Sequence, residues 1–374
     1  MSEKLSNSGK NTSIQVLKGF GAIIIFLFHG KLPFFMEHLN ITAIALNLFF
    51  VLSGFMMAYS YRNKDIEVSP LDSIKFGIKK IGSLYGLHII MAIPFILILV
   101  MQMLKKSGLI GINLLTMVLN LTLTQCWAVK DTVVLGMNSP AWFLSNMMFL
   151  YMAFPFIWKK VKGAKSNKSL YITAAVLLCV KYMISLLLVL FNADLSFIWW
   201  VNDISPIGRV FDFTLALIAG RIFFTYIENN EGQVFGKVKA TILEIVFIAL
   251  AVVIGLANTA NFNNVVLKAL FNDYTVVFMF ISIPLAILFY SCEGMITRLL
   301  NHQPFIYFGE VSSYFYLIHY FFVCLVMMLI ELSVGALPWK IKSVCLAIMF
   351  LITFALSALA NRIYKKKAAK KKSK

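Results

Sequence analysis

Two histidines interrupt long apolar stretches of this chain, and they are the residues best suited to move a proton. In AIIIFLFHGKLPFF, residues 22–35, seven apolar residues lead into His29 and the apolar run resumes past Lys31. In PFIYFGEVSSYFYLIHYFFVCLVMML, residues 304–329, His319 is similarly surrounded. Imidazole takes and releases protons near neutral pH, and an ionisable group inside a membrane segment reads by default as functional. Counting at 1.5 Å per residue from helix starts near Val16 and Phe305, both rings lie roughly 20 Å deep. Matching depth in two helices running the same way points to one shared polar cavity. The competing reading is two buried histidines, each satisfied by a serine or a backbone carbonyl. His88, at the start of a span, and the loop residues His38 and His302 read as interfacial.

The elements that must position the pair are membrane helices. The 374 residues are 60% hydrophobic and 13% charged, with 34 Phe and a mean hydropathy of +0.84, values that exclude an ordinary soluble domain. The net charge of +18 sits in short lysine clusters between and after the apolar runs. It therefore reads as topology signal and contact with anionic lipid headgroups rather than nucleic-acid binding. Cys126, Cys179, Cys292, Cys324 and Cys345 follow no disulfide or metal-site spacing, and no metal is expected. No small-residue cleavage site follows the first run, so it is expected to stay as a helix.

A bilayer core needs about 20 apolar residues per helix. Candidate runs lie at 15–35, 41–61, 84–104, 108–127, 139–158, 169–191, 204–226, 240–257, 274–291, 305–330 and 339–363. The basic lead (Lys4, Lys10, Lys18) and the tail RIYKKKAAKKKSK place both termini in the cytoplasm, which requires an even number of crossings. The basic segments 62–80 and 159–165 both belong inside. The run at 108–127, broken by Asn113, Asn120 and several threonines, is then the one that does not cross. The expectation is an all-α polytopic membrane protein of about ten transmembrane helices, with a lead at 1–12, one membrane domain over 13–362 and a polylysine tail at 363–374. Residues 191–203, with Trp199, Trp200 and two aspartates, fall outside as an aromatic belt. On that same side 258–273 reads as a surface helix.

Five fragments in order resemble the acyltransferase-3 family, bacterial integral-membrane O-acyltransferases that modify cell-surface polysaccharides. LKGFGAIIIFLFH is similar to the family's first helix, NLFFVLSGFMMAYSYRNK to its FFVLSGF signature, and SPAWFLSNMMFLYMAFPF to its Trp-Phe-Leu-Ser segment. SPIGRVFDFTLALIAGRIF resembles its Arg-then-Phe helix and FGEVSSYFYLIH its closing segment. The chain departs from the pattern at Lys18, where the family has Arg, and at Ser83 and Gly86, where a further Arg and a Pro are usual. Asn47 replaces a common acid and Ser313 a common Tyr. Lysine keeps the charge at position 18 but loses the bidentate guanidinium fork.

The resemblance implies a bacterial plasma-membrane O-acyltransferase, with O-acetyl transfer as its expected activity. The donor would be acetyl-CoA or another acyl-CoA, and the acceptor a polysaccharide or lipid-linked sugar. It implies that His29 is the essential histidine, with His319 orienting the acceptor or relaying the proton. Direct deprotonation and a transient acyl-imidazole both remain open. Lys18, about 16 Å below His29 on one helix, suits the donor's phosphates, with Arg62, Lys79 and Lys80 on the same face. Those three serve equally as topology determinants. Ser53, Trp142, Ser145, Asn146, Arg209 and Tyr316 are the candidate substrate contacts. Trp142 doubles as an interfacial anchor, and Arg209 with Asp212 as a structural ion pair. The alternatives are a transporter or flippase for the same intermediates, for which Asp212 and Glu310 lie too near helix ends, and an inactive assembly scaffold. Any partner that completes the transfer is expected on a separate chain.

Overall fold

The computed structural model describes residues 2–31, 41–229, 234–257, 264, 266, 267 and 274–372, without the side chains of 2–11, 41, 257, 274–276, 371 and 372. His38 and nearly all of the segment 258–273 lie outside the described residues. The described residues are mainly helical and include no strand.

Helix α1 spans Ser2–His29, α2 Ile41–Tyr61, α3 Pro70–Lys105 and α4 Ile110–Leu121. After a short α5 at Asp131–Val134 come α6 (Ala141–Lys162) and α7 (Asn167–Leu190). A one-turn α8 (Leu195–Trp199) and a π-helical turn at Trp200–Ile204 lead into α9 (Pro206–Asn229). Then follow α10 (Lys237–Ala257), α11 (Tyr274–Ser291), the short α12 (Met295–Leu300) and α13 (Gln303–Tyr320). A second π-helical turn at Phe321–Val326 joins α13 to α14 (Met327–Val334), and α15 (Trp339–Lys372) closes the chain.

Among the described residues nine helical segments are long and apolar enough to cross a membrane. The expected ten differ from these by α11, whose described apolar part, Val277–Ser291, is shorter. In the run at 108–127 the 12-residue α4 extends through a short turn to Ser107–Leu121, about 22 Å long and short of a bilayer core of about 30 Å. Its polar residues hold it against its neighbours. Asn113 Nδ2 donates to the Leu99 carbonyl at 3.2 Å, and Asn120 Nδ2 to the Val133 carbonyl at 2.8 Å.

Two boundaries differ from the sequence expectation. The run at 84–104 is the later part of a 36-residue helix that starts at Pro70. Ser69 caps that helix by accepting from the Asp72 amide at 3.1 Å, and proline suits the first helical position. The basic residues Lys75, Lys79 and Lys80 are therefore helical rather than looped. His88 therefore sits mid-helix rather than at a helix start, fully buried, with Nε2 3.0 Å from the Asn120 carbonyl. Finally, α1 stops at His29 although apolar sequence continues beyond it. Lys31 adopts a left-handed conformation (φ 51°), which ends the helix.

The closest helix contact explains how the two histidines come to face each other. A Cβ placed on Gly19 would meet the Gly309 amide nitrogen at 3.4 Å, and one on Gly309 would overlap the Gln15 carbonyl. Missing side chains let α1 and α13 approach backbone to backbone. Further along, Phe26 packs against Phe315, with tilted rings whose centroids are 5.6 Å apart. The offset between paired residues stays nearly constant, so the helices run parallel. His29 and His319 each lie ten residues past their glycine, about 15 Å further along the helix.

At the opposite end of the bundle, carboxylates fasten the connections. Glu293 accepts from the amides of Val234, Phe235 and Gly236 at 2.7–2.9 Å, just ahead of α10. Buried Glu244 on α10 accepts from the Ile296 amide at 2.9 Å and the Thr297 hydroxyl at 2.6 Å at the start of α12. Both acids neutralise amide donors that a helix start leaves unpaired.

Candidate active site

His29 Nδ1 lies 3.0 Å from His319 Nε2. His319 Nδ1 lies 3.3 Å from the Phe315 carbonyl, and a carbonyl only accepts. The proton of a neutral His319 is therefore assigned to Nδ1, which leaves Nε2 as an acceptor. His29 Nδ1 must then be the donor between the rings. That assignment frees His29 Nε2, with its lone pair, for a substrate. His319 is 1% exposed, whereas His29 is half-buried and lines two cavities. The inner member orients the ring and the outer member meets solvent or substrate.

The first cavity has a volume of about 340 Å³. His29, Trp142, Trp199, Asp203, Arg209 and Tyr316 are among its lining residues. The arginine guanidinium lies 4.7 Å from the centroid of the Phe50 ring and 5.8 Å from that of Trp142. Its Nε donates to the Asp203 carbonyl at 2.6 Å, Nη1 to Asp212 at 2.9 Å and Nη2 to the Asp203 carboxylate at 3.4 Å. Three of its five N–H groups are thereby engaged and two remain.

Asp212 also accepts from Lys181 Nζ at 2.7 Å, and this lysine is 3% exposed at the side chain. Lys181 was missed by the sequence reading. A single lysine inside the apolar run SLYITAAVLLCVKYMISLLLVL was the available signal, because such a charge must find a partner within the bundle. Asp203, read as part of an exterior aromatic belt, lines the cavity together with Trp199. The π-helical turn at Trp200–Ile204 brings it there, and insertions of this kind recur at functional sites. Ser139, also missed, borders both cavities beside His29.

Of the other sequence candidates, Ser145 and Asn146 lie within a turn or so of Trp142 but are committed to backbone carbonyls. Ser145 donates to Leu123 at 2.7 Å and Asn146 to Ile204 at 2.9 Å. Ser53 bonds back to Phe49 at 2.7 Å within α2. None of the three lines the cavity, and Ser145 and Asn146 tie α6 to the segments at Leu123 and Ile204.

The four basic candidates do not line this cavity. Arg62 pairs with Glu228 at 2.9 Å, Lys80 lies 4.9 Å from the Tyr61 ring centroid, and Lys79 is exposed. Lys18 is half-buried on α1 and makes no ion pair among the described residues. Eleven residues separate it from His29, three turns of helix within about 20° of one face. Ser312 and Ser313 border a smaller space of about 50 Å³ that also reaches Tyr316, so Tyr316 forms a wall common to this slot and the histidine cavity.

A bundle of membrane-length helices with a histidine pair on an internal cavity defines a multi-pass membrane protein with capacity for acid–base chemistry. Residues 11–362 match the acyltransferase-3 family model, described as an acyltransferase domain, and the chain belongs to that family. It is also similar to acyltransferase MdmB of Streptomyces mycarofaciens, with 26% identity over 245 residues. That match covers 59% of this chain and 60% of the relative's length. No solved structure matches it.

Proposed function

We propose that the protein is a membrane O-acyltransferase that carries an acyl group, most simply acetyl, from a cytoplasmic acyl-CoA to a hydroxyl of a cell-surface polysaccharide or lipid-linked sugar. The observation that carries this reading is the 3.0 Å contact between His29 and His319 at the wall of the cavity. Family membership supports the acyl-transfer chemistry. Acceptor, acyl group and placement in a bacterial plasma membrane with both termini cytoplasmic belong to the proposal.

The derived tautomer gives each ring a role. His29 Nε2 removes the proton from the acceptor hydroxyl, whose oxygen attacks the thioester carbonyl carbon. The new C–O ester bond forms, the C–S bond breaks, and the departing thiolate takes the proton back from His29 Nε2. His319 accepts from His29 Nδ1–H throughout and stabilises the transient imidazolium, the part that a carboxylate plays in a hydrolase triad. Arg209 lines the cavity and keeps two N–H groups that would suit the oxyanion. The slot beside Ser312 and Ser313 gives the donor's thin thioester arm an approach past Tyr316. Lys18 would meet its phosphates, with Arg62, Lys79 and Lys80 as an outer basic surface.

The test is O-acetyl content of surface polysaccharide from a strain lacking this gene, complemented with wild type or His29→Ala at matched protein abundance. Restoration by wild type alone is expected, with a loss of about 10²–10⁴-fold in rate for the variant, the range of general acid–base catalysis. Unchanged acetylation, with polymer shortened or retained in the cell, would overturn the reading in favour of transport or assembly.

A further inference from the structure

A transfer between two substrates needs two approaches to one base, and His29 lines two cavities. The second, about 470 Å³, shares His29, Phe28 and Ser139 with the first and falls within the size range of small-molecule sites. Its walls differ in kind. The π-helical turn after α13 and the start of α14 bring Val323, Cys324, Met327 and Met328 to it, an apolar and adaptable surface. The rim carries charge: Lys31 from the end of α1, Glu331 from α14 and Lys342 from α15. Lys342 and Glu331 pair at 3.4 Å, while Lys31 makes no ion pair among the described residues. Two cations against one carboxylate leave this cavity net positive.

We propose that this second cavity binds an acceptor sugar bearing an anionic group, a carboxylate or a phosphate, held by Lys31 and Lys342 with a neighbouring hydroxyl directed at His29. The proposal rests on the acyl-transfer reading above and adds to it the charge class of the acceptor. Glu331 orients Lys342 and leaves Lys31 to meet the anion directly. Lys31 follows His29 by two residues in the turn that ends α1, so an anion on Lys31 places the rest of a sugar ring beside the imidazole. The first cavity, which shares Tyr316 as a wall with the slot beside Ser312, is left for the donor. The same lysines could instead meet lipid phosphates at the membrane surface, and the test separates the two sources.

The protein is reconstituted in phosphatidylcholine nanodiscs with acetyl-CoA. Thiol release is followed with methyl β-glucuronide and with methyl β-glucoside, sugars that differ at one carbon. The expected result is a kcat/KM at least about tenfold higher for the glucuronide, equivalent to about 1.4 kcal/mol. Lys31→Glu and Lys342→Gln should bring the ratio of the two sugars to about one, and Lys342→Arg should restore it. Equal turnover of both sugars by wild type would overturn the acceptor proposal and leave acyl transfer standing. Thiol release with neither sugar would overturn both. Retention of labelled phosphatidylglycerol that is lost in Lys31→Glu, without a sugar preference, would assign the lysines to the membrane surface and overturn the acceptor proposal.

Discussion

The histidine pair and the charged cluster behind Arg209 lie on the same cavity yet are built on opposite terms. Lys181, Arg209, Asp212 and Asp203 form a neutral group of two cations and two anions, tied together by contacts of 2.7–3.4 Å. The pair at His29 consists of two neutral rings sharing one hydrogen bond, and one ring nitrogen stays open. A neutralised network resists change, because any displaced member leaves a buried charge uncompensated. A neutral pair with an open nitrogen can take a proton from a substrate and return it without breaking an ion pair. The cluster is thus suited to holding cavity shape and the pair to turnover.

This contrast makes paired variants informative. His29→Ala should lose nearly all activity with little change in thermal stability, since the side chain is half-buried and at a helix end. Lys181→Met keeps the hydrocarbon stem but leaves the cluster with a net negative charge. It should destabilise the protein by about 3–5 kcal/mol, as breaking a buried ion pair does, and lower the yield of folded protein in detergent. A thermal-unfolding series on both variants decides the matter. If Lys181→Met unfolds like wild type while turnover collapses, the cluster acts in the chemistry and the division drawn here is wrong.

How much of this was legible in the sequence follows from the range of each interaction. The helices, the non-crossing run and the histidine pair depend on apolar runs and on depth along a helix, both of which are local in sequence. The charged cluster joins Lys181 to Asp212 across two helices and a π-helical turn, and no spacing rule links those positions. The part Asp203 plays was out of reach for a related reason. WWVNDISP reads as an aromatic belt, and only the turn of the chain at Trp200–Ile204 brings its acid to the cavity. The end of α1 was misjudged because apolar character continues to Phe35, while the backbone already turns at Lys31.

The pair depends on helix spacing and the cluster does not, which gives a geometric way to separate them. Gly309→Ala would place a methyl group into the Gln15 carbonyl, so α1 and α13 must part. Overpacking of this kind costs about 1–3 kcal/mol. The displacement, carried about 15 Å along two parallel helices, should break the 3.0 Å histidine contact. Activity is expected to fall roughly 10–100-fold, below the effect of losing His29 itself under the general-base range. The Arg209 network, on other helices, should keep its geometry. Full activity in Gly309→Ala would mean that His29 works without His319.

Lys18 provides the mildest and most specific probe of the open side of the contrast. Like His29 it belongs to α1 and has no ionic partner among the described residues, and the two share a helix face. A cation within a span normally pairs inside the bundle, as Lys181 does, so an unpaired one is suited to an anion that comes and goes. If that anion is a phosphate of the acyl donor, Lys18→Gln should raise the KM for acyl-CoA about tenfold, near 1.4 kcal/mol, with kcat almost unchanged. An interaction equal in ground and transition states affects binding alone. Lys18→Arg should lower KM below wild type, since guanidinium grips phosphate through two parallel hydrogen bonds. A lysine that serves only to orient the helix would leave KM unmoved in both variants, so the arginine variant distinguishes donor binding from topology even if the glutamine variant expresses poorly.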